Sequence, residues 1–482
     1  MKRIALAGPL LALLAACSSK SEPPVIVLGV DGMEWSVAEA LLAAGRMPHL
    51  QRLLDEGVGG TLRTLEPTFS PSLWTTIATG RMPQEHGIPF FSELDPQTGM
   101  PKEGGLPYTS ECRRVPAIWN LAGEAGKDVL AVGWWVSWPA EAVPNGRIVA
   151  SYAAQGQGAL LWKPGVWKDG LPELTWPPSL AGGIAPRLEE GAPDGPYAAA
   201  QLARYGFSPR EWMEQQRLYG DERGREVSFR STWVGDRTHQ QIFLDQLARG
   251  VADLNLVYFG NLDVVGHMFW RYHEPAPYRY PIPPERVAFF GEHVKKAYED
   301  VDAWIGEILA ALPPERVVML VSDHGMAAYR LNNPADRNSG HHERGEPGCF
   351  VLSGTGVARR GLLPAAERRV GTILDVAPTL CDLLGIPALQ EMSTLDPQGR
   401  RVEYRSLRAL MTPEWQAERE LAQRVPSPPF RAPLPPREPV AGASELFNQT
   451  FAELGYTGVG GAAPPAPPTP PAPPADDAEP PR

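Results

Sequence analysis

The sequence predicts an α/β fold with a mostly parallel central sheet, flanked by helices and interrupted by an inserted region. Apolar runs rich in β-branched residues predict buried strands: Val25–Val30, Val129–Val132, 254–260 and Val317–Val321. Helical patterns at 37–44 and 294–311 alternate with these runs. Because such alternation is typical of parallel sheets covered by helices, the three observations together predict the α/β class.

The main α/β pattern covers residues 25–387. Between about 151 and 230 it breaks into Gly, Pro and Trp with turn pairs such as Asp194-Gly195, which indicates an insertion. This insertion either packs near the functional site as a cap or forms a surface excursion. Residues 388–456 predict a helical appendage, with helices at 413–424 and 444–454, and the Pro/Ala-rich residues 457–482 predict a disordered tail.

Residues 1–16 have the pattern of a signal peptide, since a short basic start precedes an apolar run too short for an ordinary transmembrane helix. Leu14-Ala15-Ala16-Cys17 resembles a bacterial lipobox. We therefore expect Cys17 to be lipidated and residues 17–24 to form a tether. By resemblance to the enterobacterial sorting rule, Ser18 after the cysteine favours the outer membrane, with the protein facing the periplasm or the cell surface. The alternative is a cleaved secretory signal with an incidental cysteine.

Composition and charge fit an exported globular enzyme. The 482 residues are 43% hydrophobic and can bury a large core, and the formal net charge of −11 argues against bulk nucleic-acid binding. Beyond Cys17 the chain has Cys112, Cys349 and Cys381, which allow at most one internal disulfide and lack metal-site spacing. The sequence makes no prediction about the oligomeric state.

Carboxylates and imidazoles follow the predicted strands at the points where those strands end. Open α/β sheets hold ligands at the carboxyl ends of their strands, so we expect these side chains to converge. Mixed Asp and His ligands suit zinc, with manganese or iron as alternatives, and suit calcium or magnesium poorly. The residues concerned are Asp31 after the first strand, Asp263 and His267 after the third, Asp323 and His324 after the fourth, and His341 or His342 in a later polar loop.

Several segments resemble the type I phosphodiesterase/nucleotide pyrophosphatase family of the alkaline phosphatase superfamily. They are Gly29-Val30-Asp31-Gly32-Met33, residues 68–88, the Asp263/His267 pair, Ser322-Asp323-His324-Gly325 and Ser339-Gly340-His341-His342. The resemblance covers about 25–387. It implies an alkaline-phosphatase-like three-layer α/β/α sandwich that acts on phosphate esters with two divalent metal ions.

The same resemblance assigns roles to individual residues. Ser70, ten residues before Gly80, would be the nucleophile that forms a phosphoserine intermediate. Thr68 is the competing candidate, and Ser70 could also serve as a helix N-cap. The implied ligands of one ion are Asp31, Ser70, Asp323 and His324, and those of the other are Asp263, His267 and His342. The family spacing selects His342 over His341, which could instead support a ligand or face solvent.

Departures from the family pattern leave the substrate open. Ser70-Pro71-Ser72-Leu73-Trp74 lacks the proline and arginine that sulfatases of the superfamily carry, which disfavours sulfate esters. It also lacks the Phe-Pro-Asn segment of nucleotide pyrophosphatases. We expect a hydrolase of phosphodiesters or nucleotide pyrophosphates. The alternatives are a phosphate monoesterase, an envelope phosphoryl-group transferase, or a binding lipoprotein without activity.

Overall fold

The computed structural model describes residues 22–102, 104–154, 171–192, 195–206, 223–334 and 338–437. The strands are β1 Val25–Val30, β2 Gly57–Arg63, β3 Val129–Val132, β4 Gly146–Val149, β5 Thr175–Trp176, β6 Leu254–Phe259, β7 Val317–Val321, β8 Ala327–Ala328, β9 Gly340–His341, β10 Gly348–Gly354, β11 Gly361–Leu362, β12 Arg369–Thr372, β13 Ala388–Leu389, β14 Ser393–Leu395, β15 Arg401–Glu403 and β16 Arg424–Val425. The helices are α1 Trp35–Ala43, α2 Pro48–Asp55, α3 Ser70–Thr79, α4 Pro83–His86, α5 Ile118–Glu124, α6 Ala181–Glu190, α7 Pro196–Tyr205, α8 Arg223–Arg249, α9 Asn261–His273, α10 Pro284–Ala310, α11 Val376–Leu384 and α12 Pro413–Glu418.

The central sheet has ten strands within the described residues, in the order β11-β2-β10-β7-β1-β6-β3-β4-β5, with β12 also paired to β2. Its centre is parallel, because β1 pairs in parallel with β6 and β7, and β3 pairs in parallel with β6 and β4. The antiparallel pairings lie towards the two ends, where β10 joins β7 and β2, and β5 joins β4. The mostly parallel sheet is thus confirmed.

Helices cover both faces of this sheet, as the continuous burial of β1, β6 and β7 requires. Side chains that alternate along β1 enter two separate cores: Val25 and Val27 pack in one, and Ile26 and Leu28 in the other. Helices α3, α5 and α11 close the first core, whereas α1, α2, α9 and α10 close the second. The result is the predicted three-layer α/β/α sandwich.

The described part of the insertion is more regular than its sequence indicated. Strand β5 extends the sheet beyond β4, and α6 packs on α8. Residues 155–170, 193–194 and 207–222 lie outside the described residues, as do the predicted signal peptide, Cys17 and residues up to 21. None of the helices in the described segments is long and apolar enough to cross a membrane.

The prediction of a helical appendage after residue 387 is wrong for the described residues 388–437. Helix α12 begins at Pro413 as expected but ends at Glu418, because residues 424–425 pair with 388–389 as strands β16 and β13. Strands β14 and β15 form a second pair. The predicted helix at 444–454 and the tail at 457–482 lie outside the described residues.

Candidate metal centre

Asp31 lies at the carboxyl end of β1, where the chain leaves the sheet through Gly32. The Asp31 backbone N–H donates to the Phe259 carbonyl at 2.9 Å, which continues the pairing with β6. Gly32 has φ +69°, and a Cβ there would lie 2.9 Å from the Asp263 Cα. Glycine at this position therefore lets the end of β1 approach the first turn of α9 closely enough for Asp31 and Asp263 to share one site.

Helix α9 begins directly after β6 and presents Asp263 and His267 on one face, four residues apart. The Asp236 carboxylate caps the start of this helix by accepting the backbone N–H groups of Gly260 at 3.0 Å and Asn261 at 2.8 Å. His267 Nδ1 lies 2.8 Å from the Gly340 carbonyl, which can only accept, so Nδ1 carries the proton. His267 Nε2 is then the ring nitrogen that faces Asp263 Oδ1, at 3.3 Å.

Strand β7 ends at Val321 and is followed directly by Ser322, Asp323 and His324, which are all fully buried. The Ser322 hydroxyl fixes this turn, because it accepts the Met33 N–H at 2.9 Å and donates to the His324 carbonyl at 2.8 Å. His324 Nδ1 donates to the Gly325 carbonyl at 2.9 Å. Its Nε2 lies 3.3 Å from Asp31 Oδ1, 3.5 Å from Asp323 Oδ2 and 4.0 Å from Asp263 Oδ1.

The neighbouring His341 and His342 have different hydrogen-bonding patterns. His341 Nδ1 accepts the backbone N–H of His342 at 3.0 Å. Burial and the neighbouring His267 lower the pKa of His341 to about 2, so the ring is neutral and carries its proton on Nε2. His342 Nε2 lies 3.6 Å from Asp263 Oδ1, and its Nδ1 contacts Thr68. This geometry favours His342 as the ligand.

The converging side chains leave buried acceptor atoms facing one another. Asp31 Oδ1, Asp263 Oδ1, both Asp323 oxygens and His324 Nε2 are buried without a hydrogen-bond partner in the part of the chain that the structure describes. The described residues contain two sets of possible ligands, and within each set the ligand atoms all lie within 4.8 Å of one another. One set is Asp31, Asp323 and His324, and the other is Asp263, His324 and His342. Buried carboxylates without donors are costly unless a cation compensates them, so the donor set fits metal ions.

The pKa shifts of the buried carboxylates also fit a site for cations. Burial and the facing Asp263 carboxylate raise the pKa of Asp31, and burial and Asp31 raise the pKa of Asp323 well above its usual range. Burial opposes ionisation of Asp263 too, but the adjacent His267 imidazole lowers its pKa overall. A divalent cation among these carboxylates would relieve their mutual repulsion.

Ser70 is the first residue of α3 and is buried, and its hydroxyl makes no hydrogen bond within the described residues. Phe69 rather than Ser70 occupies the N-cap position, so the alternative of Ser70 as an N-cap is wrong by one residue. Two other residues of the same segment contact members of the two ligand sets: Thr68 bonds His342, and Trp74 Nε1 donates to Asp31 Oδ2 at 3.0 Å.

Sequence reasoning missed the residues that orient the ligands. Tyr258, on β6, donates its hydroxyl to Asp31 Oδ2 at 2.5 Å and receives the Trp135 Nε1–H at 2.7 Å. With Trp74 donating to the same oxygen, only Asp31 Oδ1 remains for a cation. Trp134, Trp135 and Trp138 are buried, so the aromatic segment after β3 is part of the core. The sequence did contain one indication of this role. Tyr258 lies in a strand predicted to be buried, and a buried tyrosine hydroxyl needs a hydrogen-bond partner.

Two solved structures illustrate what this chain is similar to. Murine ectonucleotide pyrophosphatase/phosphodiesterase 5, solved in complex with AMP, matches 81% of this chain and 100% of its own at 13% identity and a TM-score of 0.45. Phosphonoacetate hydrolase from Sinorhizobium meliloti 1021, in complex with phosphonoformate, matches 64% of this chain and 57% of its own at 18% identity and a TM-score of 0.35.

Curated relatives are 2,3-bisphosphoglycerate-independent phosphoglycerate mutases. Phosphoglycerate mutase 2 of Methanosarcina acetivorans is 29% identical over 148 residues, which are 30% of this chain and 23% of that protein. The enzyme of Synechococcus sp. strain JA-2-3B'a(2-13) is 30% identical over 153 residues, 30% of this chain and 25% of that protein. The chain thus spans about a quarter of the length of these relatives.

One family model matches most of the chain. It describes type I phosphodiesterase/nucleotide pyrophosphatase and covers residues 25–367. The match includes Ser70 and every Asp and His that the structure brings together at the carboxyl edge of the sheet. The chain therefore belongs to the type I phosphodiesterase/nucleotide pyrophosphatase family.

Proposed function

We propose that this protein is a metal-dependent phosphoester hydrolase. It would use two metal ions and cleave phosphodiester or nucleotide pyrophosphate bonds through a phosphoserine intermediate on Ser70. The observation that carries the proposal is the cluster of buried acceptor atoms without donors in the described residues, which Thr68 and Trp74, on either side of Ser70 in the sequence, contact through His342 and Asp31. A site built only for stability would pair these carboxylates with arginines or backbone N–H groups, as Glu141 is paired with Arg113 at 2.8 Å.

The two ligand sets would divide as the family resemblance implies. Asp31, Ser70, Asp323 and His324 would hold one ion, and Asp263, His267 and His342 the other. Neutral imidazoles and carboxylates together favour zinc, with manganese or iron as alternatives. When bound, such cations supply positive charge that lowers the pKa of a nearby hydroxyl and stabilises negative charge on phosphoryl oxygens.

The reaction then follows from the position of Ser70. The Ser70 hydroxyl gives up its proton and its Oγ forms a bond to phosphorus while the bond from phosphorus to the leaving oxygen breaks. The leaving oxygen takes up a proton, so that no net proton is gained or lost. The amino end of α3 favours the phosphoryl group through the partial positive charge of the helix terminus. In the second step the oxygen of a water molecule bonds to phosphorus and the serine ester bond breaks, which restores the Ser70 hydroxyl.

We also propose that the protein is attached to the cell envelope through a lipid on Cys17, at the outer membrane and facing the periplasm or the cell surface. The lipobox-like sequence before Cys17 and the short polar segment before β1 support this location. Mass spectrometry of the membrane fraction would detect the acylated Cys17, and a Cys17→Ser variant should be released from that fraction.

The function is tested by comparing substrates with the zinc-loaded protein. A bis-aryl phosphate, a nucleotide diester and an aryl monophosphate are assayed in parallel, with the Ser70→Ala protein as the blank. We expect kcat/KM for a diester to exceed that for the monoester by about a hundredfold or more. A preference for the monoester would identify a phosphate monoesterase. Transfer to an added alcohol in place of water would identify a transferase.

A further inference from the structure

Thr68 lies two residues before Ser70, and its side chain is buried against His342. The Thr68 Oγ1 makes two contacts with that one residue. It lies 2.7 Å from the imidazole Nδ1 of His342 and 3.0 Å from the backbone carbonyl oxygen of His342. The hydroxyl therefore closes a small ring between the side chain and the main chain of the same histidine.

Only one arrangement of protons satisfies both contacts. A carbonyl oxygen can only accept, so the single Thr68 hydroxyl proton must lie between Oγ1 and the His342 carbonyl. The proton of the second contact must then come from Nδ1 of His342, which donates to Oγ1. If Oγ1 donated to Nδ1 instead, two oxygens would face each other at 3.0 Å without a proton between them.

This arrangement determines which nitrogen of His342 carries the lone pair. With the proton on Nδ1, the lone pair is on Nε2, the atom that lies 3.6 Å from Asp263 Oδ1 and belongs to the set Asp263, His324 and His342. A histidine that binds a metal usually has its other ring nitrogen fixed by a hydrogen bond of this kind. The partner here is a threonine hydroxyl from the segment that carries the nucleophile.

We propose that Thr68 is a positioning residue, which fixes the tautomer and ring orientation of His342 and joins this ligand to the segment that holds Ser70. The inference rests on the proposed function of His342 as a metal ligand. It also removes Thr68 as the competing nucleophile, because its hydroxyl proton and its acceptor site are both engaged by His342.

The test measures zinc affinity by competition with a chromophoric chelator, which needs no turnover. Thr68→Val keeps the branched shape and removes the hydroxyl, Thr68→Ser keeps the hydroxyl, and Thr68→Ala serves as a second deletion if the valine variant does not fold. Thr238→Val is the matched control, since Thr238 is a buried threonine whose hydroxyl donates to the Val234 carbonyl at 2.8 Å, away from the site.

We expect Thr68→Val and Thr68→Ala to lower the affinity for one of the zinc ions by about ten- to a hundredfold. The zinc affinities of Thr68→Ser and Thr238→Val should be close to that of the wild-type protein. Wild-type zinc affinity in both deletion variants would overturn the inference. Wild-type protein that binds no zinc would instead overturn the proposed function. Loss of activity in Thr68→Val and Thr68→Ala at unchanged zinc affinity, with activity retained in Ser70→Ala, would make Thr68 the nucleophile and overturn both.

Discussion

Trp74 and Asp31 are joined by a buried hydrogen bond from the indole Nε1 to Asp31 Oδ2, 3.0 Å long. Trp74 lies one helical turn after Ser70 on α3, so this bond attaches the helix of the proposed nucleophile to a carboxylate at the end of β1. It also directs the other Asp31 oxygen towards Asp323 and His324.

Replacing Trp74 by Phe should therefore reduce catalysis more than it reduces stability. Loss of a partner that orients a metal ligand typically costs about ten- to a hundredfold in metal affinity or activity. Trp119→Phe is the control, because the Trp119 indole is equally buried and donates to Glu141 Oε2 at 2.9 Å, outside the site. Steady-state kinetics and zinc titration should show a larger loss of activity and zinc affinity in Trp74→Phe than in Trp119→Phe. Equal losses of activity in both would show that the Trp74 bond has only a structural role.

Ser70→Ala should abolish turnover while zinc content and folding stay nearly unchanged. A hydroxyl contributes less to the affinity of a metal site than the charged carboxylates and the imidazoles do. Kinetics, metal analysis and circular dichroism on the same preparation check this outcome. Activity that persists in Ser70→Ala would exclude Ser70 as the nucleophile.

Asp263→Asn and His267→Ala should each reduce bound zinc from about two equivalents towards one, since the two residues face each other at 3.3 Å and are proposed to hold the same ion. Metal analysis after dialysis against a weak chelator measures the loss. Asp302→Asn is a suitable control, because this buried carboxylate accepts the Leu50 N–H at 2.7 Å rather than facing the site. Two equivalents retained in both site variants would remove Asp263 and His267 from the ligand set.

His342→Ala should need far more added zinc for activity than His341→Ala. The reason is the hydrogen bond at 3.0 Å in which His341 Nδ1 accepts the His342 N–H, which leaves neutral His341 without a free lone pair. Activity measured against free zinc concentration gives the two half-saturation points. The reverse order of these points would assign the ligand to His341.

His86 should make the protein sensitive to acid independently of the metal. Burial lowers the pKa of His86 to about 3, below its ordinary value of 6.5. The stabilisation from the neutral ring is complete above pH 6.5 and is lost as the pH falls from 6.5 towards 3. At pH 5 this loss amounts to about 2 kcal/mol in the free energy of unfolding, and it should be absent in His86→Asn. Urea unfolding of both proteins at pH 8 and pH 5 measures the difference; an equal loss in both would contradict it.

The sequence predicted those parts of the site that depend on local pattern. Asp31, Asp263 and Asp323 each follow an apolar run, and parallel strands buried on both faces bring their carboxyl ends to one edge. The contacts of Trp74, Tyr258 and Asp31 depend on how α3 crosses the sheet, which no local pattern contains. The early end of α12 has the same kind of cause, because β16 pairs with β13, about 35 residues earlier in the chain.

The direction of β1 has a consequence for the choice of substrate. The chain enters the sheet at Pro24 and reaches Asp31 only at the far end of β1, after six residues or about 20 Å of extended chain. If residues 17–24 form the proposed tether, the edge of the sheet where the chain enters would face the bilayer and the candidate metal centre would open away from it. An enzyme held in this orientation would meet phosphate esters dissolved in the surrounding fluid rather than the lipid head groups of its own membrane.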